Sequence, residues 1–363
     1  MIEALRELAA ARWREAAPAR PALAGALVLG NGKAESSKVA VLFLDAAGDP
    51  AVVAKVARND VASSALAREH AALDAVRATG APLVDASVPR PLGAERVEGR
   101  DVLLMTALGG RPLYGIYHTP GHTSDRTAVT ADLRAAAGWL LRLQRETRAG
   151  AVPADAAFWD AYAAPILARY RSEIGWSEEE DALFEEARRR FDRLADATIP
   201  MAASHGDFWM GNLMIGPDGG IVGVVDWELA DVGMPPLRDL YKFLTSYAFY
   251  MDRAYPGRGG AVPNHPGRED STGRWRRFGS WPNLLGFGYA YFGQGWFPDL
   301  VRATVEGHLA ALGIPPAANG VFFPLFLAEQ ATVLDVEEFR DGYRSLILAF
   351  AAERDTGWLW TAV

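Results

Sequence analysis

The sequence contains no cysteine. That absence excludes structural disulfides, thiolate nucleophiles and cysteine-based zinc sites. Nor is there a run approaching the roughly 20 consecutive apolar residues that a membrane-crossing helix needs. Basic residues are in deficit, with 37 Lys plus Arg against 45 Asp plus Glu and a net charge of −8. Proteins that bind phosphate backbones carry a basic face, so nucleic acid is an unfavourable partner and a neutral or cationic molecule an easier one. The amino end, Met1-Ile2-Glu3-Ala4-Leu5-Arg6-Glu7-Leu8, is charged too early for a secretory signal and reads as an amphipathic helix. These absences predict a soluble cytoplasmic protein. Internal repeats and low-complexity tracts are also missing, and 363 residues suggest two domains or one bilobal unit.

What is present is concentrated in one stretch. Ser204-His205-Gly206-Asp207-Phe208-Trp209-Met210-Gly211-Asn212 is followed, after a turn, by Val224-Val225-Asp226-Trp227-Glu228. Residues 213–215 and 221–225 read as short apolar strands joined by Gly216-Pro217-Asp218-Gly219-Gly220. A hairpin there returns Asp226 to the side of Asn212. Phosphoryl transfer requires an acceptor for the attacking hydroxyl's proton, oxygen ligands for Mg²⁺, and a rigid frame for both. Asp207 suits the first requirement. Asn212 and Asp226 suit the second, because Mg²⁺ favours a few hard oxygens completed by water and phosphate. A plain hairpin with polar loop residues is the competing reading.

Upstream, residues 1–17 read as a helix ended before Pro18, with Leu5, Leu8 and Trp13 on one face. Residues 26–29, 38–44 and 51–56 are strand-like with short connections, which suggests an antiparallel sheet. The first turn, residues 30–37, suits either a plain hairpin or a flap laying backbone N–H groups and the Ser36 and Ser37 hydroxyls over phosphates. It lacks a complete Gly-x-Gly-x-x-Gly pattern. In residues 61–79, Leu66, Ala67, His70, Leu73 and Val76 recur at helical spacing with Glu69 among them. Residues 101–108 read as a buried strand running into Gly109-Gly110-Arg111-Pro112.

Beyond that turn the pattern becomes helical over residues 133–145 and twice within 154–195. Residues 251–283 are rich in Gly, Pro and Arg, with Trp275, Phe278 and Trp281 interleaved, and read as a flexible insertion or lid. Arginines among aromatics also suit single-stranded nucleic acid, which the acidity of the chain opposes. Asp335, Glu337, Glu338 and Asp341 form an acidic cluster that is either a solvated helix face or part of a substrate site.

His205-Gly206-Asp207, Asn212 five residues after Asp207, the hairpin and Asp226-Trp227-Glu228 together resemble the catalytic loop and metal-binding segment of the aminoglycoside phosphotransferase and choline kinase-like enzymes, relatives of protein kinases. The resemblance implies an α+β, bilobal, protein-kinase-like fold from about residue 25 to residue 245. Its mixed amino lobe, residues 1–108, would hold a five-stranded antiparallel sheet and one main helix. A mainly helical carboxyl lobe, residues 109–363, would carry the insertion near 251–283. ATP would bind between the lobes, with Mg²⁺ on Asn212 and Asp226 and with Asp207 as proton acceptor.

Further correspondences follow from the same resemblance. Lys55, ending a strand in an Ala-Lys-Val context, is similar to the nucleotide-binding lysine of kinase folds, and Glu69 to the helix glutamate that orients it. A solvated helix glutamate is the alternative for Glu69. Thr106, Ala107 and Leu108 fall at the hinge whose backbone meets adenine. Asp239 falls where the family places a helix N-cap or an anchor for the catalytic loop, in a segment where Met234-Pro235 replaces the usual Asp-Pro. Glu228 is a second candidate for the metal shell, and Asp231, Trp281, Asp335 and Glu338 are candidates for acceptor contact or support.

The implied activity is transfer of the γ-phosphoryl group of ATP to a hydroxyl of a small molecule. An aminoglycoside, amino sugar or other sugar ranks first, because sugar faces stack on aromatic rings and carboxylates accept from hydroxyl or ammonium groups. A choline- or homoserine-type alcohol is the runner-up, and a nucleotide-binding protein without transferase activity is the competing class. No Asp-Phe-Gly or Ala-Pro-Glu element marks a protein kinase.

Overall fold

The computed structural model describes residues 1–29, 37–195, 197–251, 273–333 and 336–361. Ser36, most of the 251–283 insertion and Asp335 lie outside the described residues, whereas Ser37 lies within them.

Helix α1 (Ile2–Ala16) precedes strands β1 (Leu23–Leu29), β2 (Val39–Asp45) and β3 (Pro50–Val56). Helices α2 (Asp60–Arg77) and α3 (Pro82–Ser87) then lead to β4 (Pro91–Val97) and β5 (Arg100–Thr106). The five strands form one antiparallel sheet in the order β1-β2-β3-β5-β4. Successive strand side chains point to opposite faces, and this alternation decides what covers each side. Val52, Ala54 and Val56 of β3 enter a core with Leu5, Ala9 and Trp13 of α1, which seals that face. Lys55 is left to point from the other face, toward α2.

Asn59 opens α2, its side chain accepting from the Ala62 N–H at 2.8 Å. The helix buries Ala62, Ala65, Leu66, Glu69, Leu73 and Val76. That stripe corrects the expected one: Ala67 is exposed, and His70 is half-exposed beside Asp74 at 3.5 Å. Glu69 takes the buried position because the facing strand supplies its cation. Likewise Ala9, rather than half-buried Leu8, completes the inward face of α1.

The chain continues through β6 (Arg111–Pro112), α4 (Leu113–Tyr117), α5 (Arg126–Glu146), β7 (Gly150–Pro153) and α6 (Ala156–Phe158). Helix α7 (Ala164–Glu173) and α8 (Glu178–Asp192), opened by a Ser177–Glu180 capping box, lead into β8 (Thr198–Ser204). Strands β9 (Leu213–Ile215), β10 (Ile221–Val224) and β11 (Asp231–Met234) complete two small antiparallel sheets, ordered β10-β9-β6 and β11-β8-β7. Helices α9 (Leu237–Phe249), α10 (Asn283–Phe292), α11 (Trp296–Leu312), α12 (Asn319–Val333), α13 (Glu337–Glu353) and α14 (Trp358–Thr361) follow.

Helix α9 buries all of its residues except Arg238, so it runs through the larger core with the sheets that carry the motif around it. The result is the expected α+β arrangement: a five-stranded antiparallel sheet with its own small core, then a mainly helical body around a larger one. No single helix among the described residues is long and apolar enough to cross a membrane.

Candidate active site

The loop bearing Asp207 is framed from below by α9. The buried Asp239 carboxylate accepts from the Ser204 hydroxyl at 3.0 Å and from the backbone N–H groups of His205 and Gly206 at 2.7 and 2.8 Å. Pro236 occupies the N-cap of α9, so of its two expected roles Asp239 has that of loop anchor. Gly206 turns the chain at φ 82°, and a Cβ there would stand 2.1 Å from the Leu229 carbonyl oxygen. Only glycine fits so close a backbone approach. Phe208 and Met210 are fully buried, with the Phe208 ring stacked 5.5 Å from Trp139. Anchoring those alternate residues leaves Asp207 and Trp209 on the outer side of the loop.

His205 ties this loop to the next segment. Its Nδ1 accepts from the Asp207 N–H at 3.3 Å, so its Nε2 donates to the Val225 carbonyl at 3.0 Å. Burial pushes the imidazole below its ordinary pKa against the opposing pull of Asp239 and Asp207, consistent with a neutral ring.

Asn212 and Asp226 are brought together by the predicted hairpin, where the Val225 N–H donates to the Asn212 carbonyl at 3.0 Å. The Asn212 amide nitrogen donates to the Asp207 carbonyl at 3.0 Å and to its Oδ2 at 3.3 Å, which leaves the amide oxygen for another partner. Trp227 is fully buried, with its indole N–H on the Val224 carbonyl at 2.8 Å. Asp226 adopts φ 70°, an uncommon conformation for a residue other than glycine and one concentrated at functional sites. A carboxylate and an amide oxygen are hard donors that fit Mg²⁺. Among the described residues no group of three or more His, Asp or Glu forms a metal cage, so a cation here would be completed by water and phosphate oxygens.

Lys55 and Glu69 are brought together. Lys55 Nζ stands 2.5 Å from Glu69 Oε1 and 2.7 Å from Asp226 Oδ1. Burial alone would lower the ammonium pKa, but Asp226 and Glu69 raise it well above its ordinary value. Asp226 is correspondingly held low: burial works against its charge, and the Lys55 charge prevails. Glu69 is fully buried, which rules out the solvated alternative, and burial pushes its pKa upward against Lys55. Among the described residues its second oxygen has no hydrogen-bond partner.

Glu228 reaches a partner that the sequence reading did not include, the nearly buried ammonium of Lys38 at the entry to β2. Lys38 also acts electrostatically on Asp226 and Glu69. Both carboxylates of the Asp-Trp-Glu segment thus carry a lysine. Lys242 was missed as well: from α9 it lies 2.9 Å from Asp207 Oδ1 and donates to Gln330 Oε1 at 2.7 Å. The available signal was a lone lysine in an otherwise apolar run, 240–244, since lysine is rarely buried unless paired.

Other candidates fall differently. Ser37 immediately precedes Lys38. The Thr106 and Ala107 N–H groups already donate to the Arg90 and Ala51 carbonyls at 2.9 Å. Asp231 is exposed at the start of β11 and caps its own turn, accepting from the Val232 N–H at 2.7 Å. Trp281 is corrected: its ring is buried against Phe249, Phe339 and Tyr343, so it packs the core and offers no stacking face. Glu338 is exposed beside exposed Glu337 and Asp341, as a solvated helix face would be. Aromatic rings do lie beside the loop bearing Asp207, where Tyr114 stands 5.7 Å from Trp209 and 5.8 Å from Tyr250.

Ammonium groups for phosphate oxygens, hard oxygen donors for a divalent cation and a carboxylate on the adjoining loop are the demands of phosphoryl transfer from a nucleotide, and they place the protein among phosphotransferases. Residues 31–262 match the model of the phosphotransferase enzyme family that includes the aminoglycoside phosphotransferases, and the chain belongs to that family. No curated protein matches the sequence. Among solved structures, the chain is similar to aminoglycoside phosphotransferase APH(3'')-Id from Streptomyces rimosus, with 16% identity, 94% of this chain and 98% of that one covered, and a TM-score of 0.43. It is also similar to the macrolide 2'-phosphotransferase MphH from Brachybacterium faecium, at 19% identity, 91% and 99% coverage and a TM-score of 0.38.

Proposed function

We propose that the protein is an ATP-dependent, cytoplasmic kinase that phosphorylates a hydroxyl of a polyhydroxylated small molecule. The observation that carries this reading is the meeting of Lys55 with both Glu69 and Asp226, which sets a phosphate-binding cation beside the Asn212–Asp226 oxygen pair. The nucleotide-binding part is assigned to residues 1–108 and the acceptor-binding part to 109–363. Asp207 takes the hydroxyl proton, Lys55 orients the phosphates, and the Leu108 backbone meets adenine. Mg²⁺, held by Asn212 and Asp226, would neutralise charge on the transferring phosphoryl group. Because the transition state is loose, alignment and charge compensation by these side chains outweigh deprotonation.

The acceptor is placed as an aminoglycoside, amino sugar or other sugar, ahead of choline or homoserine. The ring cluster of Tyr114, Trp209 and Tyr250 suits a sugar acceptor, since apolar sugar faces stack on aromatics. An ATP-consumption screen across these acceptors, with wild type and Asp207→Asn side by side, tests the reading. Turnover that depends on an acceptor and drops about 10²- to 10⁴-fold in Asp207→Asn is expected. Nucleotide binding without turnover on any acceptor would assign the chain to the binding-protein class instead.

A further inference from the structure

Helix α9 sends two charged side chains to the catalytic loop from one face, three residues apart. Asp239 holds the loop backbone, as described. Lys242 holds the loop's functional side chain: its ammonium is 2.9 Å from Asp207 Oδ1, while Asn212 approaches Oδ2 at 3.3 Å. The Lys242 side chain is 8% exposed, against 26% for Asp207. The base therefore keeps an open edge toward solvent while the cation behind it is buried and held to α12 through Gln330, with the buried Tyr343 of α13 acting on it electrostatically. Tyr250, just past the end of α9, also acts on the same ammonium.

A lysine buried among apolar side chains is costly unless paired, and a methionine of similar length would fill the same space without that cost. Its presence at this point needs a reason beyond packing. We propose that Lys242 is a positioning residue for phosphoryl transfer: it locks the Asp207 carboxylate in the orientation that presents its open edge to the acceptor hydroxyl, and offsets the carboxylate's charge beside the anionic phosphates. The proposal rests on the kinase reading. In the step it serves, the bond from the acceptor oxygen to the γ-phosphorus forms as the bond to the bridging oxygen of ADP breaks, and the hydroxyl proton passes to Asp207. In a loose transition state alignment and the relief of repulsion between carboxylate and phosphate matter more than deprotonation, and these are what the pair supplies.

The test is a double-mutant cycle with Lys242→Met and Asp207→Asn, read as phosphate release from ATP with water as acceptor and as transfer to any acceptor found by the screen. Lys242→Met should lower kcat about 10- to 100-fold while leaving the ATP KM and ADP binding within about threefold. In the Asp207→Asn background the same change should cost less than about twofold, because there is no carboxylate left to position. Lys242→Arg, which keeps the charge, should recover part of the loss, and serves with Lys242→Gln if the methionine variant does not fold. In a crystal structure of Lys242→Met with ADP, Asp207 should lose its single orientation. Equal losses in both backgrounds, an unmoved Asp207, or a raised kcat in Lys242→Met would overturn the proposal. A wild type inert toward water and every acceptor would instead overturn the kinase reading, and with it this step.

Discussion

Lys55 of strand β3 and Asp226 of the hairpin segment, 171 residues apart, meet at 2.7 Å, and Glu69 flanks the same ammonium on its other side. On the proposed function nucleotide phosphates enter where these charges compensate one another, and the contact would then set both affinity and alignment. Lys55→Ala should lower kcat/KM for ATP by about 10²- to 10³-fold, the scale seen when one preorganised donor is removed. Glu69→Ala should act in the same direction but less, since Asp226 still holds the lysine. The pair should couple by about 0.5 to 3 kcal/mol in a double-mutant cycle. Additive effects on steady-state kinetics would remove Glu69 from the role of lysine partner.

The proposed function assigns both Asp226 and Asn212 to the divalent cation, where they would contribute unequally. An ionised carboxylate supplies charge and an amide oxygen supplies only a dipole. Asp226→Ala should therefore raise the Mg²⁺ concentration needed for half-maximal turnover more than Asn212→Ala does, and should weaken ADP binding only when Mg²⁺ is present. Calorimetric titration of ADP with and without Mg²⁺ checks this. Identical Mg²⁺ dependence in wild type and both variants would show that the cation is held elsewhere.

Much of the site was legible because it is local. Asp207, Asn212 and Asp226 lie in one stretch whose hairpin follows from two apolar runs and a Gly-Pro-Asp-Gly-Gly turn, and short-range chemistry of that kind survives in a single sequence. The sheet, α1 and α2 were legible from periodicity, although the stripe on α2 was misplaced by including Ala67 and His70. Lys38 and Lys242 were not legible as site residues, because their meaning lies in partners set by tertiary packing: Lys38 meets Glu228 across 190 residues. Trp281 shows the opposite error. An aromatic among glycines and arginines looks available for stacking, and only the placement of Phe249, Phe339 and Tyr343 around it reveals a core residue.

Asp239 carries a prediction about the frame. Its carboxylate satisfies three buried donors at once, and each donor left unpaired costs about 1 to 3 kcal/mol. Asp239→Ala should lower stability by several kcal/mol and release the loop, so that transfer is lost while ADP still binds in the fraction that stays folded. Asp239→Asn keeps the size but places an amide N–H₂ against backbone donors, and should recover little. Denaturant midpoints together with ADP binding check this, and a near-normal midpoint for Asp239→Ala would mean that the loop is held by other contacts.

His308 gives the protein a pH dependence that is separate from catalysis. It is buried on α11 with Nε2 2.8 Å from Gln144 Oε1, and Gln144 in turn donates to the Pro236 carbonyl at 2.6 Å, just before α9. Burial, with a smaller push from Arg145, lowers its pKa to about 4. An unfolded histidine titrates near about 6.5. Between those values the unfolded chain binds a proton that the folded chain refuses, so acid favours unfolding. The stability contribution is fully present above about pH 6.5 and is lost as pH falls toward 4, by about 3 kcal/mol over the window. His308→Gln cannot titrate, and should flatten that part of the curve while the carboxylates and His205 contribute equally to both proteins. Urea midpoints at pH 7.5 and pH 4.5 should therefore fall further in wild type than in His308→Gln. Parallel curves would show that His308 is protonated in the folded state or exposed to water.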